Sequence, residues 1–180
     1  MLDAVTRSTT LITIAREAIA REARPQPARW DEAWLRESGA CFVTLRLDDG
    51  LRGCVGSVDA HRALGDDVAH NAFAAAYRDS RFDAVSPAER ERLVVEVSVL
   101  GPRAPLAAAS EQDALAALRP GIDGIYFEYR HLHATFLPQV WDNIPDPLDF
   151  LCELRRKAGL PTRFWDDEVK LSRYTVEKHK

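Results

Sequence analysis

The sequence predicts an α+β fold, and three observations carry that prediction. Segments with helical spacing of apolar residues are interspersed with runs of period two. Those runs are joined mostly by short hairpin turns rather than by helical crossovers, which favours antiparallel pairing over a parallel α/β sheet. The 180 residues, 46% of them hydrophobic, suffice for one domain, or for two small lobes sharing a core.

In chain order, residues 8 to 24 carry a stripe of Leu11, Ala15, Ala18 and Ile19, predicting an amphipathic helix capped by Ser8 or Thr9 and stopped by Pro25. Residues 26 to 38 form a connector with room for a short helix. From Ala40 to Val58 two period-two runs flank Asp48-Asp49-Gly50, a hairpin signal. Leu64, Val68, Ala72 and Ala75 return to helical spacing over Leu64 to Tyr77, and the many alanines predict close packing on a sheet. Leu93 to Leu100 is β-branched and reads as a buried strand. The Pro- and Ala-rich stretch Gly101 to Ala109 marks a lobe boundary within a single 1–180 domain. Ser110 to Leu118 reads as a short helix, and Gly124 to Tyr129 with His133 to Leu137 as a second hairpin. The last helix has Asp146 as N-cap, Pro147 in first position, Arg155 to Lys157 at its positive-preferring end and Gly159 beyond. A final strand is expected over Val169 to Val176.

Charge and cysteine usage narrow the function. With 24 Lys and Arg against 28 Asp and Glu, the net charge of -4 gives no long-range attraction to phosphate, which argues against nucleic acid as partner. Met1 to Arg7 lacks the basic and apolar regions of a signal peptide, and no run approaches the roughly 20 apolar residues that span a bilayer, so a cytoplasmic protein without membrane contact is expected. Cys41, Cys54 and Cys152 are widely spaced and odd in number, fitting neither a disulfide framework nor a zinc site. No metal or cofactor is expected. Gly50, Gly53 and Gly56 have neither dinucleotide nor P-loop spacing.

Arg52-Gly53-Cys54 is the best candidate functional surface, and the turn before it decides which side chains share its face. A two-residue Asp49-Gly50 turn sets Leu45 opposite Cys54 and mixes Arg52 into the apolar stripe, at the cost of burying a charge. A three-residue Asp48-Asp49-Gly50 loop with Gly50 left-handed pairs Leu47 with Leu51, Leu45 with Gly53 and Val43 with Val55. The other face then collects Phe42, Thr44, Arg46, Arg52, Cys54 and Gly56. This second register segregates polar from apolar residues and is preferred. It places Arg52 and Cys54 on one side, roughly 7 Å apart at Cα, where a guanidinium favours thiolate over thiol. Cysteine is also among the most buried residue types, and Cys41 and Cys152 read as core.

Leu51-Arg52-Gly53-Cys54-Val55-Gly56-Ser57, the Ala-rich helix running into Asp79-Ser80-Arg81-Phe82, the strand Glu96 to Leu100, Leu137-Pro138-Gln139-Val140 and Arg156-Lys157-Ala158-Gly159-Leu160-Pro161 together resemble the AMMECR domain family. Its prokaryotic members are called AmmeMemoRadiSam system protein A. The resemblance covers nearly the whole chain in order. Val55, Ser57, Ser80 and His131-Leu132-His133 depart from it without touching Arg52 to Gly56. It implies two closely packed lobes, each a mainly antiparallel sheet backed by helices, cytosolic location, and association with a Memo-type protein and a radical-SAM protein. It implies no particular reaction.

Glu96 and Ser98 share one face of their strand. If that face meets the Arg52 side of the hairpin, Glu96 pairs with Arg46 or Arg52, or serves as general base. Asp79 and Arg81 read as a ligand-binding pair or as a local ion pair ending the helix, and Gln139 as an amide offered to substrate or to backbone. His70 lies one turn after Asp66 and reads as its surface partner; His131 and His133 alone do not make a metal site. Two functions follow. In one, a binding or accessory subunit presents the Arg52-Gly53-Cys54 face to a partner. In the other, an enzyme or enzyme subunit holds a small polar or anionic substrate on Arg46 and Arg52, with Cys54 as nucleophile and Glu96 as base.

Overall fold

A computed structural model of the chain describes residues 4–180; Met1 to Asp3, which open the segment searched for a leader, lie outside the described residues. The chain divides into two compact units, one running to Leu100 and including Glu177–Lys180, the other Gly101–Val176. Its helices and antiparallel ladders make an α+β fold. Among the described residues no helix is long and apolar enough to cross a membrane.

The first unit opens with α1 (Ala4–Ala20) and α2 (Ala33–Arg36), the short helix of the connector. A two-residue strand β1 (Ser38–Gly39) precedes the hairpin β2 (Cys41–Leu47) and β3 (Gly50–Gly56). Then come β4 (Arg62–Ala63), α3 (Leu64–Tyr77), α4 (Pro87–Arg90) and β5 (Val94–Leu100). The second unit holds β6 (Ala104–Leu106), α5 (Glu111–Ala117), β7 (Gly124–Tyr129), β8 (Leu132–Phe136), a 3-10 turn over Pro138–Asp142, α6 (Pro147–Lys157) and β9 (Lys170–Tyr174). The chain ends on β10 (Val176–His179), in the sheet of the first unit.

Sheet order in the first unit is β10-β5-β2-β3, with β3 at an edge. Val43 and Leu45 of β2 and Val95 and Val97 of β5 join Leu11, Ala15, Val68 and Ala72 of the two long helices in one core. In the second unit the order is β6-β9-β7-β8, and Ile125, Phe127 and Leu171 pack on Phe150, Leu151 and Leu154 of α6. Asp146 caps α6 by accepting from the N–H groups of Leu148 and Asp149, and Gly159 beyond it takes a positive φ of 85°.

Several boundaries differ from the sequence reading. Helix α1 already includes Ala4 and ends at Ala20, not near Pro25: Arg90 donates to the Ala20 carbonyl and Glu22 turns left-handed. Ser8 and Thr9 therefore lie inside the helix and do not cap it; Thr9 bonds back to the Val5 carbonyl. The stretch 101 to 109 contains a strand, β6, whose Pro105 is tolerated because β6 is an edge. The expected strand 169 to 176 stops at Tyr174, and β10 is a separate strand beside β5. Cys41 is fully buried, whereas Cys152 is only half-buried.

A Cβ on Gly53 would sit 2.1 Å from the carbonyl oxygen of Ala75 in α3, whereas one on Gly56 would meet the ring of Phe42 at 2.2 Å. A ring can rotate; a helix carbonyl moves only with its helix. Gly53→Ala is therefore expected to cost about 3 kcal/mol and Gly56→Ala about 1 kcal/mol, read from urea midpoints of the two variants. Equal costs would show that α3 does not set the limit.

Candidate functional site

The hairpin turns on Asp48 and Asp49, whose φ values of 49° and 64° fit a two-residue turn of the primed type. Leu47 pairs with Gly50 and Arg46 with Leu51, after which the register shifts and Leu45 pairs with Gly53, Thr44 with Cys54 and Val43 with Val55. Neither expected loop is present. Asp tolerates the left-handed region that was assigned to Gly50, and a bulge inserts Arg52 as the extra residue. The bulge recovers the preferred pairing of Leu45 and Val43 while removing Arg52 from the alternation.

Arg52 is thereby directed to the segment after α3. Its Nε donates to Glu89 Oε1 at 2.7 Å and its Nη2 to Oε2 at 3.2 Å, while Nη1 and Nη2 reach the carbonyls of Asp83 and Ala84. Glu89 also accepts from the N–H and hydroxyl of Ser86 at 2.8 Å each. The Arg52 guanidinium, and then the Ser86 donors, hold the Glu89 carboxyl down to about 2. Four of the five N–H groups of Arg52 are engaged within the fold, so it does not stand beside the thiol as a free cation.

Cys54 lies on the edge strand, and its backbone is met by the residues that end α3. Asp79 Oδ2 accepts the Cys54 N–H at 2.9 Å, and Arg81 Nη2 donates to the Cys54 carbonyl at 3.2 Å. Arg81 also binds Asp79 through Nη2 at 2.6 Å and Nε at 2.9 Å. The Asp79–Arg81 pair thus supplies the hydrogen bonds that a further strand would make. Arg81 holds the Asp79 carboxyl far below the usual carboxylate range, and the Cys54 N–H adds to that. The Cys54 Sγ lies 3.4 Å from Thr44 Oγ1 and is half-buried.

Cross-strand partners share a face. Thr44 pairs with Cys54 on one side and Glu96 on the other, so Cys54, Thr44 and Glu96 form a row across β3, β2 and β5. Two strand spacings separate Cys54 from Glu96, about 10 Å at Cα. Glu96 pairs with neither Arg46 nor Arg52; its partner is Lys180 Nζ at 3.1 Å, brought there by the return of the chain along β10. The next row towards the turn is Leu51, Arg46 and Val94. Leu51 is 42% exposed and Val94 54% exposed, and Arg46 between them is exposed, reaching the Asp49 carbonyl at 3.4 Å.

Thus Arg46, Arg52, Gly53, Cys54, Asp79, Arg81 and Glu96 all lie in the first unit. Gln139 belongs to the 3-10 turn of the second, with Oε1 buried and unpaired. His70 is not the partner of Asp66, which accepts from the Ala28 N–H and the Trp30 indole. Among the described residues no group of three or more His, Cys, Asp or Glu side chains is placed to hold a metal.

Sequence reasoning missed two parts of this site. Glu89 was legible: Ser86-Pro87-Ala88-Glu89 has capping-box spacing with proline in first position. The other part is a buried network around Asp67, which accepts from the Cys41 N–H at 2.9 Å, Ser57 Oγ at 2.7 Å and Asn71 Nδ2 at 3.0 Å. It ties the outer ends of β2 and β3 to α3. The only sequence signal was Asp67 and Asn71, one turn apart beside the apolar stripe.

The profile of the AMMECR1 family matches residues 12–179. A protein of Methanothermobacter thermautotrophicus is 36% identical over 179 residues, covering 93% of this chain and 91% of its own length. A protein of Thermotoga maritima is 36% identical over 152 residues, covering 83% of this chain and 82% of its own. The crystal structure of protein PH0010 from Pyrococcus horikoshii is similar with a TM-score of 0.82 and 31% identity, over 94% of this chain and 88% of that one.

The carboxyl of Glu89 falls from its usual 4.5 to about 2 on folding, so its pairing with Arg52 stabilises fully above pH 4.5 and is lost as pH falls towards 2. Glu89→Gln is expected to lower the urea midpoint at neutral pH and to flatten its decline between pH 4.5 and 2. An unchanged slope would mean that Glu89 does not carry the acid sensitivity.

Proposed function

The chain belongs to the AMMECR1 family, and from that premise we propose that it is a binding or accessory subunit. It presents the Cys54 side of the β2–β3 hairpin to a partner protein. The single observation that carries this reading is the exposed row of Leu51, Arg46 and Val94 beside the Cys54–Thr44–Glu96 row. Two large aliphatic side chains flank a cation that makes no ion pair among the described residues. That is the composition of an interface core with one directing charge, suited to a partner surface with an apolar patch and a carboxylate.

The remaining site charges support the same reading. Arg52 is matched to Glu89, Arg81 to Asp79 and Lys180 to Glu96. They shape and brace the hairpin, while Gly53 lets it lie on α3. On this reading Cys54 contributes shape and a small apolar surface. The Memo-type and radical-SAM proteins implied by the family resemblance are the first partners to test.

The alternative, a cysteine-dependent enzyme acting on a small polar or anionic substrate, rests on the half-buried Cys54 thiol, with Thr44 Oγ1 3.4 Å from the sulfur and Glu96 in the same row. Leu51→Asp and Val94→Asp change exposed positions and are expected to fold and to weaken partner binding roughly tenfold or more. Cys54→Ser is expected to bind as the parent does. Binding of each purified partner to the three variants checks this; a Cys54→Ser variant that folds and still binds its partner yet loses function would overturn this reading and favour the enzyme.

A further inference from the structure

A second candidate site lies away from the hairpin, on the helical side of the first unit. A cavity of about 570 Å³ opens where α1 and α3 are bridged by the chain from Ala23 to Trp30. Its floor is apolar, made by Ile14 and Ala18 of α1 and Ala69 of α3. Trp30 forms one wall. The indole packs on Gly65, where a Cβ would lie 2.4 Å from the ring, and its N–H donates to Asp66 Oδ1 at 3.0 Å. The same oxygen accepts the Ala28 N–H at 3.0 Å. The wall is therefore fixed before any ligand arrives, which reduces the ordering cost of binding.

The rim is cationic. Arg24 and Arg29 line the cavity and make no ion pair or hydrogen bond among the described residues, whereas Glu17, the acidic side chain of this lining, is paired with Arg21 at 3.1 Å. A smaller cavity of about 410 Å³ shares Arg24 to Pro27 and adds Arg62 and His70. Burial, and then Arg62 and Arg24, lower the pKa of His70, consistent with an electropositive setting. The carboxylate of that second cavity, Asp66, is held by the Trp30 and Ala28 donors. An apolar floor, an aromatic wall and unpaired guanidinium groups at the rim fit a molecule that is flat and apolar at one end and anionic at the other.

We propose that the cavity bounded by Ile14, Ala18, Ala69 and Trp30 binds a small aromatic acid. The ring lies against Trp30, and the carboxylate or phosphate meets Arg24 and Arg29. Neither the hairpin face nor its partner enters this inference.

The test follows the Trp30 indole N–H in 1H–15N spectra, its peak identified by loss in Trp30→Phe, while phenyl phosphate, benzoate, inorganic phosphate or benzyl alcohol is added to the full chain. A saturable shift with phenyl phosphate or benzoate is expected, and the tighter of the two identifies the acid. Inorganic phosphate, which has no ring, and benzyl alcohol, which has no charge, should each bind at least about tenfold more weakly. Arg24→Ala, at an exposed position, should weaken the acid about tenfold, and Ala69→Phe should abolish the shift by filling the floor. Should Ala69→Phe fail to fold, Arg24→Ala alone decides. Equal binding of benzyl alcohol, an unchanged affinity in Arg24→Ala, or no saturable shift of Trp30 overturns the proposal.

Discussion

The contact between Gly53 and the carbonyl of Ala75 is the constraint on which the candidate site depends. Because nothing larger than hydrogen fits at position 53, the edge strand β3 lies directly on α3. The end of that helix then arrives beside Cys54, where Asp79 and Arg81 complete the backbone hydrogen bonds that an edge strand leaves open. The bulge one residue earlier follows the same logic. It turns Arg52 out of the ladder and towards Glu89 and the carbonyls of Asp83 and Ala84, pinning the chain that leaves α3. A string that looks like a reactive motif is thus first a joint between strand, helix and loop.

That joint also engages the charges near the thiol. A guanidinium promotes thiolate chemistry only when its charge is available to the sulfur. Arg52 is bound to Glu89 and to the carbonyls of Asp83 and Ala84, and Arg81 is bound to Asp79 and to the Cys54 carbonyl. Glu96 lies a full strand beyond Thr44 and faces Lys180. The face keeps exposed aliphatic side chains around Arg46, which on the proposed reading a partner protein covers.

Much of this was legible in the sequence where one local rule governs. Leu64–Tyr77 and Pro147–Lys157 emerge where spacing and caps place them, because apolar periodicity, Asp146 and Gly159 all act within a few residues. The face of Cys54 was reached by a partly wrong route. Polar and apolar segregation predicts the pairing of Val43 with Val55, but the three-residue loop with Gly50 left-handed is replaced by a turn on Asp48 and Asp49, and no local signal marks the bulge by which Arg52 meets Glu89, 37 residues away. The fate of Glu96 depended on Lys180, and that of Asp66 on Trp30. Partners supplied by distant segments are set by tertiary packing, which spacing along the chain does not encode. The same holds for the Asp67 network, whose members come from β2, the end of β3 and α3.

On the proposed reading Arg52-Gly53-Cys54 is a braced binding surface rather than an activated nucleophile. The most direct measurement is the rate of Cys54 alkylation in the folded protein at pH 6, with the buried Cys41 and the half-buried Cys152 resolved by peptide mapping. On that reading Cys54 reacts no faster than a free model thiol under the same conditions, since Arg52 is paired with Glu89 and Arg81 with Asp79. A Cys54 that outpaces the model thiol tenfold or more, about 1.4 kcal/mol of activation, would contradict it and restore the enzyme reading.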